Sequence, residues 1–123
     1  MFATAMLLLA PLTVIVDGVE SDAGTFYVSV QTEETYMQPT GTAGSRTDAQ
    51  PGTMTFEYDV PAGSYAVSVW HDDNGNDVFD RQANGFPEDG WALSGNGGWQ
   101  YSDVEIIVPA DGTTVRLEMT YPE

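Results

Sequence analysis

The sequence has no cysteine and no lysine among its 123 residues, and it contains only three arginines and one histidine. Without cysteine there are no disulfides and no thiolate metal sites, and a single histidine argues against a zinc centre. Against 19 acidic residues, the three arginines leave a formal net charge of −16. Such a charge repels nucleic acid and anionic lipid and excludes both as partners. It attracts Ca²⁺ and basic partners, although solubility in a salty medium explains it equally well.

A hydrophobic run long enough to span a bilayer, about 20 residues, is also missing. The apolar segment at residues 1–12, MFATAMLLLAPL, resembles the central part of a signal peptide. No Lys or Arg precedes it, and no small-x-small cleavage site follows it. We expect residues 1–11 to be a residual signal peptide or an apolar N-terminal extension, and the protein to be secreted or periplasmic. Residues 12–123 are long enough for one domain with one core, which we expect to be a monomer.

Short segments in which apolar and polar residues alternate make up most of residues 12–123. These segments are residues 12–16, 25–31, 53–59, 65–70, 102–108 and 113–120. Period-two alternation is typical of strands with one buried face, and the turn residues between consecutive segments predict three hairpins. Residues 33–52 and 72–100 show no such period and are rich in Gly, Asn and Thr, which predicts two long loops.

This pattern predicts an all-β fold, an antiparallel β-sandwich of immunoglobulin-like or transthyretin-like type. It would have six or seven strands and one long loop at residues 72–100. A small β-barrel is the alternative, because alternation alone does not distinguish a closed sheet from two packed sheets.

The loop after residues 65–70 has the spacing of oxygen ligands around a hard cation. The expected ligands are Asp72, Asn74 and Asn76, the backbone carbonyl of Val78, and Asp80. Side chains at alternate positions of a tight loop point to one centre, as in calcium loops flanked by helices. Few charged ligands and no bidentate Glu predict weak binding, with a dissociation constant on the order of 10⁻⁴ to 10⁻³ M. The alternative is a loop in which Asp and Asn side chains cap their own backbone.

The same residues resemble a bacterial family, the domain of unknown function 2141. The resemblance is carried by the segments YAVSVWHDDNGN at residues 65–76, Asp80, and GFPEDGWALSGN at residues 85–96. It extends over nearly the whole chain and implies an exported, sandwich-type domain without an assigned activity. Three residues depart from the family pattern. Asp77 replaces a typical Gly, Asp89 replaces a typical Glu, and Gly95 separates a Ser-Asn pair.

The sequence gives little support for an enzyme. His71 is the one histidine, and the nearest hydroxyl nucleophiles, Ser68 and Ser94, do not lie in a Gly-x-Ser-x-Gly motif. We expect no catalytic residues, and we expect His71 to anchor the following loop from the end of its strand.

A binding module is the alternative function, and aromatic residues near the long loop are its candidate contacts. These residues are Trp70, Trp91, Trp99 and Tyr101. Exposed rings on sandwich domains hold a glycan or a protein partner through flat apolar contact. Exposed coplanar indoles would favour a glycan, whereas Trp91 and Trp99 packed inward under the loop would indicate a structural role.

Overall fold

Eight strands and one short helix form the part of the chain that the computed structural model describes, residues 9–38, 41–72 and 89–121. The elements are β1 (Leu9–Val19), β2 (Thr25–Gln31), β3 (Ala43–Asp48), β4 (Gly52–Pro61), β5 (Gly63–Asp72), β6 (Gly90–Leu93), α1 (Tyr101–Val104), β7 (Ile106–Val108) and β8 (Thr113–Glu118). The strands form two sheets that share one core. The predicted β-sandwich is confirmed, with more strands than the six or seven expected.

The smaller sheet has three strands in the order β4-β1-β8. Its central strand β1 is antiparallel to β4 and parallel to β8. At the side of the sheet, Asp17 of β1 accepts two hydrogen bonds from the Arg116 guanidinium of β8, with N–O distances of 2.5 and 3.2 Å. These bonds hold the pKa of Asp17 below its usual value, and they tie the first strand to β8.

The larger sheet runs in the order β3-β2-β5-β6, and β7 pairs with the beginning of β5. Its neighbouring strands are all antiparallel. The whole of β2 pairs with β5, from Thr25 opposite Asp72 to Gln31 opposite Ala66. Side chains on the outer face of β5 therefore have neighbours on both sides.

The core lies between the two sheets. Phe26 of the larger sheet stacks on Phe56 of the smaller, with ring centroids 6.0 Å apart and planes within 1° of parallel. The larger buried apolar residues include Leu12, Val14, Val16, Phe26, Val28, Val30, Val60, Tyr65, Val67, Val69, Val108, Leu117 and Met119. Burying such apolar surface stabilises a fold by about 25 cal/mol per Å².

The three predicted hairpins are wrong, because each connection takes the chain from one sheet to the other. β1 and β2 lie in different sheets, as do β4 and β5, and β7 and β8. A hairpin and a sheet-to-sheet connection both turn the apolar face of each strand toward the core. Period-two alternation therefore does not distinguish them.

The two segments predicted as loops each contain a strand. β3 lies within residues 33–52 and pairs with β2, and β6 lies within residues 72–100 and pairs with β5. All residues of β3 are exposed or half-buried, so it has no buried period to detect. Conversely, residues 101–104 form α1 rather than the start of a strand. The Asp103 carboxylate accepts a hydrogen bond of 3.2 Å from the Gln100 N–H and stabilises this turn.

β1 begins at Leu9, so the last three residues of the predicted N-terminal extension belong to a strand. Residues 1–8 and 73–88 lie outside the described part of the chain. Within the described part, no helix has the length and apolarity to cross a bilayer.

The sandwich is open along one side. A cleft of about 570 Å³ lies there, lined by residues of β8, by Ile106 and Ile107 of β7, and by Leu93. Beyond β8 the chain crosses to the larger sheet, where Thr120 and Trp91 exchange backbone hydrogen bonds of 2.8 and 2.9 Å. This bridge joins the two sheets at one end and leaves the rest of that side open.

Candidate ligand-binding groove

A row of large side chains crosses the outer face of the larger sheet. The register places Arg46 of β3, Tyr27 of β2, Trp70 of β5 and Trp91 of β6 opposite one another. The Tyr27 and Trp70 rings stack, with centroids 4.5 Å apart and planes at 14°. The Arg46 guanidinium lies 5.6 Å from the centroid of the Tyr27 ring, and its Nε donates a 3.1 Å hydrogen bond to the Tyr27 hydroxyl. The row is therefore a continuous wall.

Small side chains form the next row across the same face. Gly44, Ser29, Ser68 and Leu93 lie opposite one another. A Cβ at Gly44 would stand 2.7 Å from the carbonyl oxygen of Val28, so this position is restricted to glycine. The Ser68 hydroxyl is buried, and no described residue forms a hydrogen bond with it. This row lies lower than the aromatic wall and forms the floor of a groove, with a buried hydroxyl in it.

The turn at residues 32–38 lies on the other side of this floor. Gln31, which is almost fully buried, organises the turn: its Nε2 donates to the carbonyl oxygens of Thr35 and Gln38, at 2.9 and 2.8 Å. Its Oε1 accepts a hydrogen bond from the Met37 N–H. Met37 has a φ of +64°, which is uncommon for a residue other than glycine, and its side chain is exposed. Gln31 thus holds Met37 in a strained conformation beside the groove.

Trp99 stands at the end of the groove and is 45% exposed. Its ring packs on Trp91, with centroids 4.7 Å apart and planes at 36°. The Tyr36 hydroxyl donates a 2.7 Å hydrogen bond to the Trp99 carbonyl oxygen, which fixes the backbone before α1. Burial, and the nearby Asp103 carboxylate, raise the pKa of Tyr36, so this hydroxyl keeps its proton at neutral pH.

The groove between these features has a volume of about 490 Å³. Its lining comprises Tyr27, Ser29, Gln31, Met37, Gln38, Ser68, Val69, Trp70, Trp91, Ala92, Leu93 and Trp99. Eight of these are apolar or aromatic, four are polar and uncharged, and none carries a charge. Concave sites of this size and composition are typical of ligand-binding clefts.

His71 lies on the opposite face of β5 and is fully buried. Its Nε2 lies 2.7 Å from the carbonyl oxygen of Ala23, which can only accept, so Nε2 carries a proton. Its Nδ1 lies 2.7 Å from the hydroxyl of Tyr121, and that hydroxyl accepts a 3.1 Å hydrogen bond from the N–H of Glu20. His71 therefore anchors the turn between β1 and β2 and the end of the chain, through contacts that differ from the expected anchoring of the loop after Asp72.

Residues 14–116 match the model of a protein family described as an uncharacterized protein conserved in bacteria, DUF2141. The chain belongs to the DUF2141 family. The predicted resemblance is thereby confirmed over most of the chain. No curated protein and no solved structure matches it. What this DUF2141 domain binds or does has to be inferred from its own geometry.

In this DUF2141 chain, Ser94 and the two residues after it hold the end of α1. The Ser94 hydroxyl accepts a hydrogen bond from the Val67 N–H at 2.9 Å and donates one to the Val104 carbonyl oxygen at 2.6 Å. Gly95, which departs from the family pattern, has a φ of +88°, and a Cβ there would overlap the Asp103 carbonyl oxygen. The Asn96 N–H donates a 2.9 Å bond to the same oxygen. The Ser94 hydroxyl is thus engaged within the fold.

Only the first of the candidate calcium ligands lies in the described part of the chain. Asp72 ends β5 and is fully buried, whereas Asn74, Asn76, Val78 and Asp80 fall in residues 73–88. At the other end of that segment Asp89 is also buried, and it accepts a 2.8 Å hydrogen bond from the Trp70 indole N–H. Among residues 9–38, 41–72 and 89–121, no three His, Asp or Glu side chains cluster in a way that could hold a metal ion.

Of the predicted ligand-binding residues, Trp70, Trp91 and Trp99 line the groove together. Tyr101 does not, because its hydroxyl lies 2.7 Å from the Ser64 hydroxyl, away from that lining. Trp91 and Trp99 do not pack inward, and they lie on the outer face. The sequence analysis missed the lining residues of β2 and of the following turn, among them Tyr27, Gln31 and Met37. The available signal was the outward phase of Tyr27 in its strand.

Proposed function

We propose that this DUF2141 domain is a non-catalytic binding module that holds an extended peptide in the aromatic groove. One observation carries the proposal: all three tryptophans of the chain line a single uncharged cleft on the outer face of the larger sheet. Large aromatic side chains that are open to solvent cost free energy unless a ligand covers them, so their convergence on a cleft is typical of a binding site.

The ring geometry favours a peptide over a glycan. Trp91 and Trp99 pack on each other, and Tyr27 stacks on Trp70, so the groove presents no pair of exposed coplanar rings. A sugar bound to a sandwich domain needs such a flat face together with polar groups at its edge. The described lining supplies mostly apolar surface and no charged group. Apolar side chains of a peptide would occupy it, while the Ser68 hydroxyl would donate to a backbone carbonyl.

The contacts of the two residues with the most reactive side chains support a non-catalytic role. Both ring nitrogens of the buried His71 have partners within the fold. The Ser94 hydroxyl likewise bonds to the backbone of Val67 and Val104. Neither side chain is placed to act on a ligand in the groove.

Binding can be measured by tryptophan fluorescence, because every tryptophan of the chain lines the groove. The probe is a short capped peptide in which glycine alternates with norleucine, an uncharged unbranched side chain. We expect saturable binding and, for Trp99→Ala, a loss of affinity of roughly fivefold to thirtyfold, because truncating an aromatic contact residue typically costs 1–2 kcal/mol. Trp99 is exposed, so the variant should remain folded.

The matched control is Ile107→Ala, which removes an exposed apolar side chain outside the groove and should leave the affinity unchanged. An oligosaccharide such as a cello-oligomer is titrated in parallel. Saturable sugar binding without peptide binding would show that the peptide assignment is wrong. Binding of neither probe would remove the support for a ligand site at this groove.

A weak calcium site is a second candidate function, and we propose it for the loop that joins β5 to β6. Two buried carboxylates, Asp72 and Asp89, stand at the two ends of that connection, in adjoining positions of the β5–β6 register. Buried carboxylates require hydrogen-bond donors or a cation nearby. The alternating Asp and Asn residues of the connection supply the ligand types that Ca²⁺ prefers.

Calcium binding predicts a higher melting temperature when calcium replaces chelator. At a hundred times the dissociation constant the gain is about 2.7 kcal/mol, or roughly 10 °C for a domain of this size. Asp80→Asn should abolish the gain, whereas Asp111→Asn, in the exposed turn before β8, should retain it. An equal gain with magnesium, or a full gain in Asp80→Asn, would contradict this site and indicate general screening of the acidic surface.

A further inference from the structure

We infer that the peptide held in the groove is basic, and that a Lys or Arg side chain of the peptide packs against the exposed ring face of Trp99. The inference rests on the proposed peptide binding and specifies which side chain the groove selects. A cation above an indole face is attracted by the negative charge density of the ring.

The first support comes from a cation–π contact that already exists in the same aromatic row. The chain's own Arg46 guanidinium lies 5.6 Å from the centroid of the Tyr27 ring, at the opposite end of the wall from Trp99. Tyr27 in turn stacks on Trp70. The face of Tyr27 toward Arg46 is therefore occupied from within the chain, while Trp99 remains 45% exposed. A ligand would repeat at Trp99 the contact that Arg46 makes at Tyr27.

The second support is charge complementarity around the tryptophans. Asp89 is buried and accepts the indole hydrogen bond of Trp70 at 2.8 Å, which increases the electron density of that ring. Asp103 lies against Gly98, immediately before Trp99. No cationic side chain lines the groove, and the chain as a whole carries a net charge of −16 with no lysine. This field raises the local concentration of basic peptides and repels acidic ones.

The test compares two capped peptides, one alternating glycine with lysine and the other alternating glycine with norleucine. The two side chains have the same number of methylene-length atoms in their stems, and only the lysine carries a charge. Titration near 0.15 M salt limits attraction to the distant acidic surface, because the Debye length is then about 8 Å. We expect the unmodified domain to bind the lysine peptide roughly threefold to tenfold more tightly than the norleucine peptide.

The deciding variant is Trp99→Leu, which keeps apolar bulk at the end of the groove and removes the π face. We expect its preference for lysine over norleucine to fall to about twofold or less, since only the general field of the acidic chain remains. Its affinity for the norleucine peptide should stay within about threefold of the unmodified domain. Circular dichroism of the variant verifies that the sandwich is intact.

Each outcome separates the two proposals. If both peptides bind equally, or if the lysine preference is the same in Trp99→Leu, the groove binds peptides but the cation contact at Trp99 is refuted. If the norleucine peptide binds more tightly, the groove selects apolar side chains and the inference is again refuted. If neither peptide binds, the proposed function itself fails, and the inference fails with it.

Discussion

Replacing His71 with alanine is expected to lower the free energy of unfolding by about 3–5 kcal/mol. The side chain is fully buried, so its removal leaves a cavity. It also leaves the Ala23 carbonyl oxygen and the Tyr121 hydroxyl without their ring partner. Domains of this size are typically stable by 5–15 kcal/mol, so the loss would be a large part of the total. Urea unfolding, followed by tryptophan fluorescence and by circular dichroism, measures it.

Tyr121→Phe is the graded control for the same network. It keeps the ring and removes the hydroxyl that bonds to His71 and to the Glu20 N–H. We expect a smaller loss, about 1–2 kcal/mol, because no cavity is created and one buried ring nitrogen loses its partner. A loss below about 1 kcal/mol for His71→Ala would show that the network does not hold these segments together.

Replacing Gly95 with alanine is expected to cost about 3 kcal/mol or more. The residue has a φ of +88°, and an added Cβ would overlap the carbonyl oxygen of Asp103, which is backbone and has little room to move. The change would push α1 away from the bonds that Ser94 and Asn96 make to its last carbonyls. Thermal unfolding should therefore show a melting temperature lowered by roughly 10 °C.

Gly97→Ala separates the two causes of that loss. Gly97 also has a positive φ, +101°, but nothing lies within 4 Å of a Cβ placed there. It should show only the backbone cost, about 1–2 kcal/mol. The difference between the two variants measures the steric overlap at Gly95. If the two melting temperatures fall equally, the close packing of Gly95 against α1 is wrong.

The buried face of most strands could be predicted from the sequence, and the pairing of the strands could not. Alternation indicated correctly that Val14, Val28 and Val67 point inward. The partners depend on which connections cross between the sheets, and a tight turn such as the one between β4 and β5 suits either arrangement. β3 escaped detection because, at the edge of the sheet, it has no buried residue.

The candidate groove was predicted in part for the same reason. Three of the four aromatic residues chosen as ligand contacts do line it, since all follow or end strands near the long loop. Tyr27 was missed because its contact with Trp70 depends on the pairing of β2 with β5, which the hairpin prediction excluded. The Gln31 contacts that hold Met37 depend on a turn with no periodic signal.

Three separate parts of the chain build the groove: β2 with the turn after it, the second half of β5, and the segment from β6 to Trp99. Its shape therefore depends on the larger sheet as a whole. A substitution that loosens β6 would move Trp91 and Trp99 together, and it would alter peptide binding without touching the ligand. Binding measurements on groove variants thus need a parallel measurement of stability.

The parallel pairing of β1 with β8 also has a consequence for how the domain is made. The first and last described strands are neighbours, so the smaller sheet remains incomplete until β8 has been synthesised. β1 meets β4 after about forty residues of chain and β8 only after about a hundred, and such distant contacts slow folding. A ribosome-bound chain would expose the apolar edge of β1 throughout synthesis. Such a domain should fold in one late step after chain release, and it would stay unfolded and threadable during transfer across a membrane.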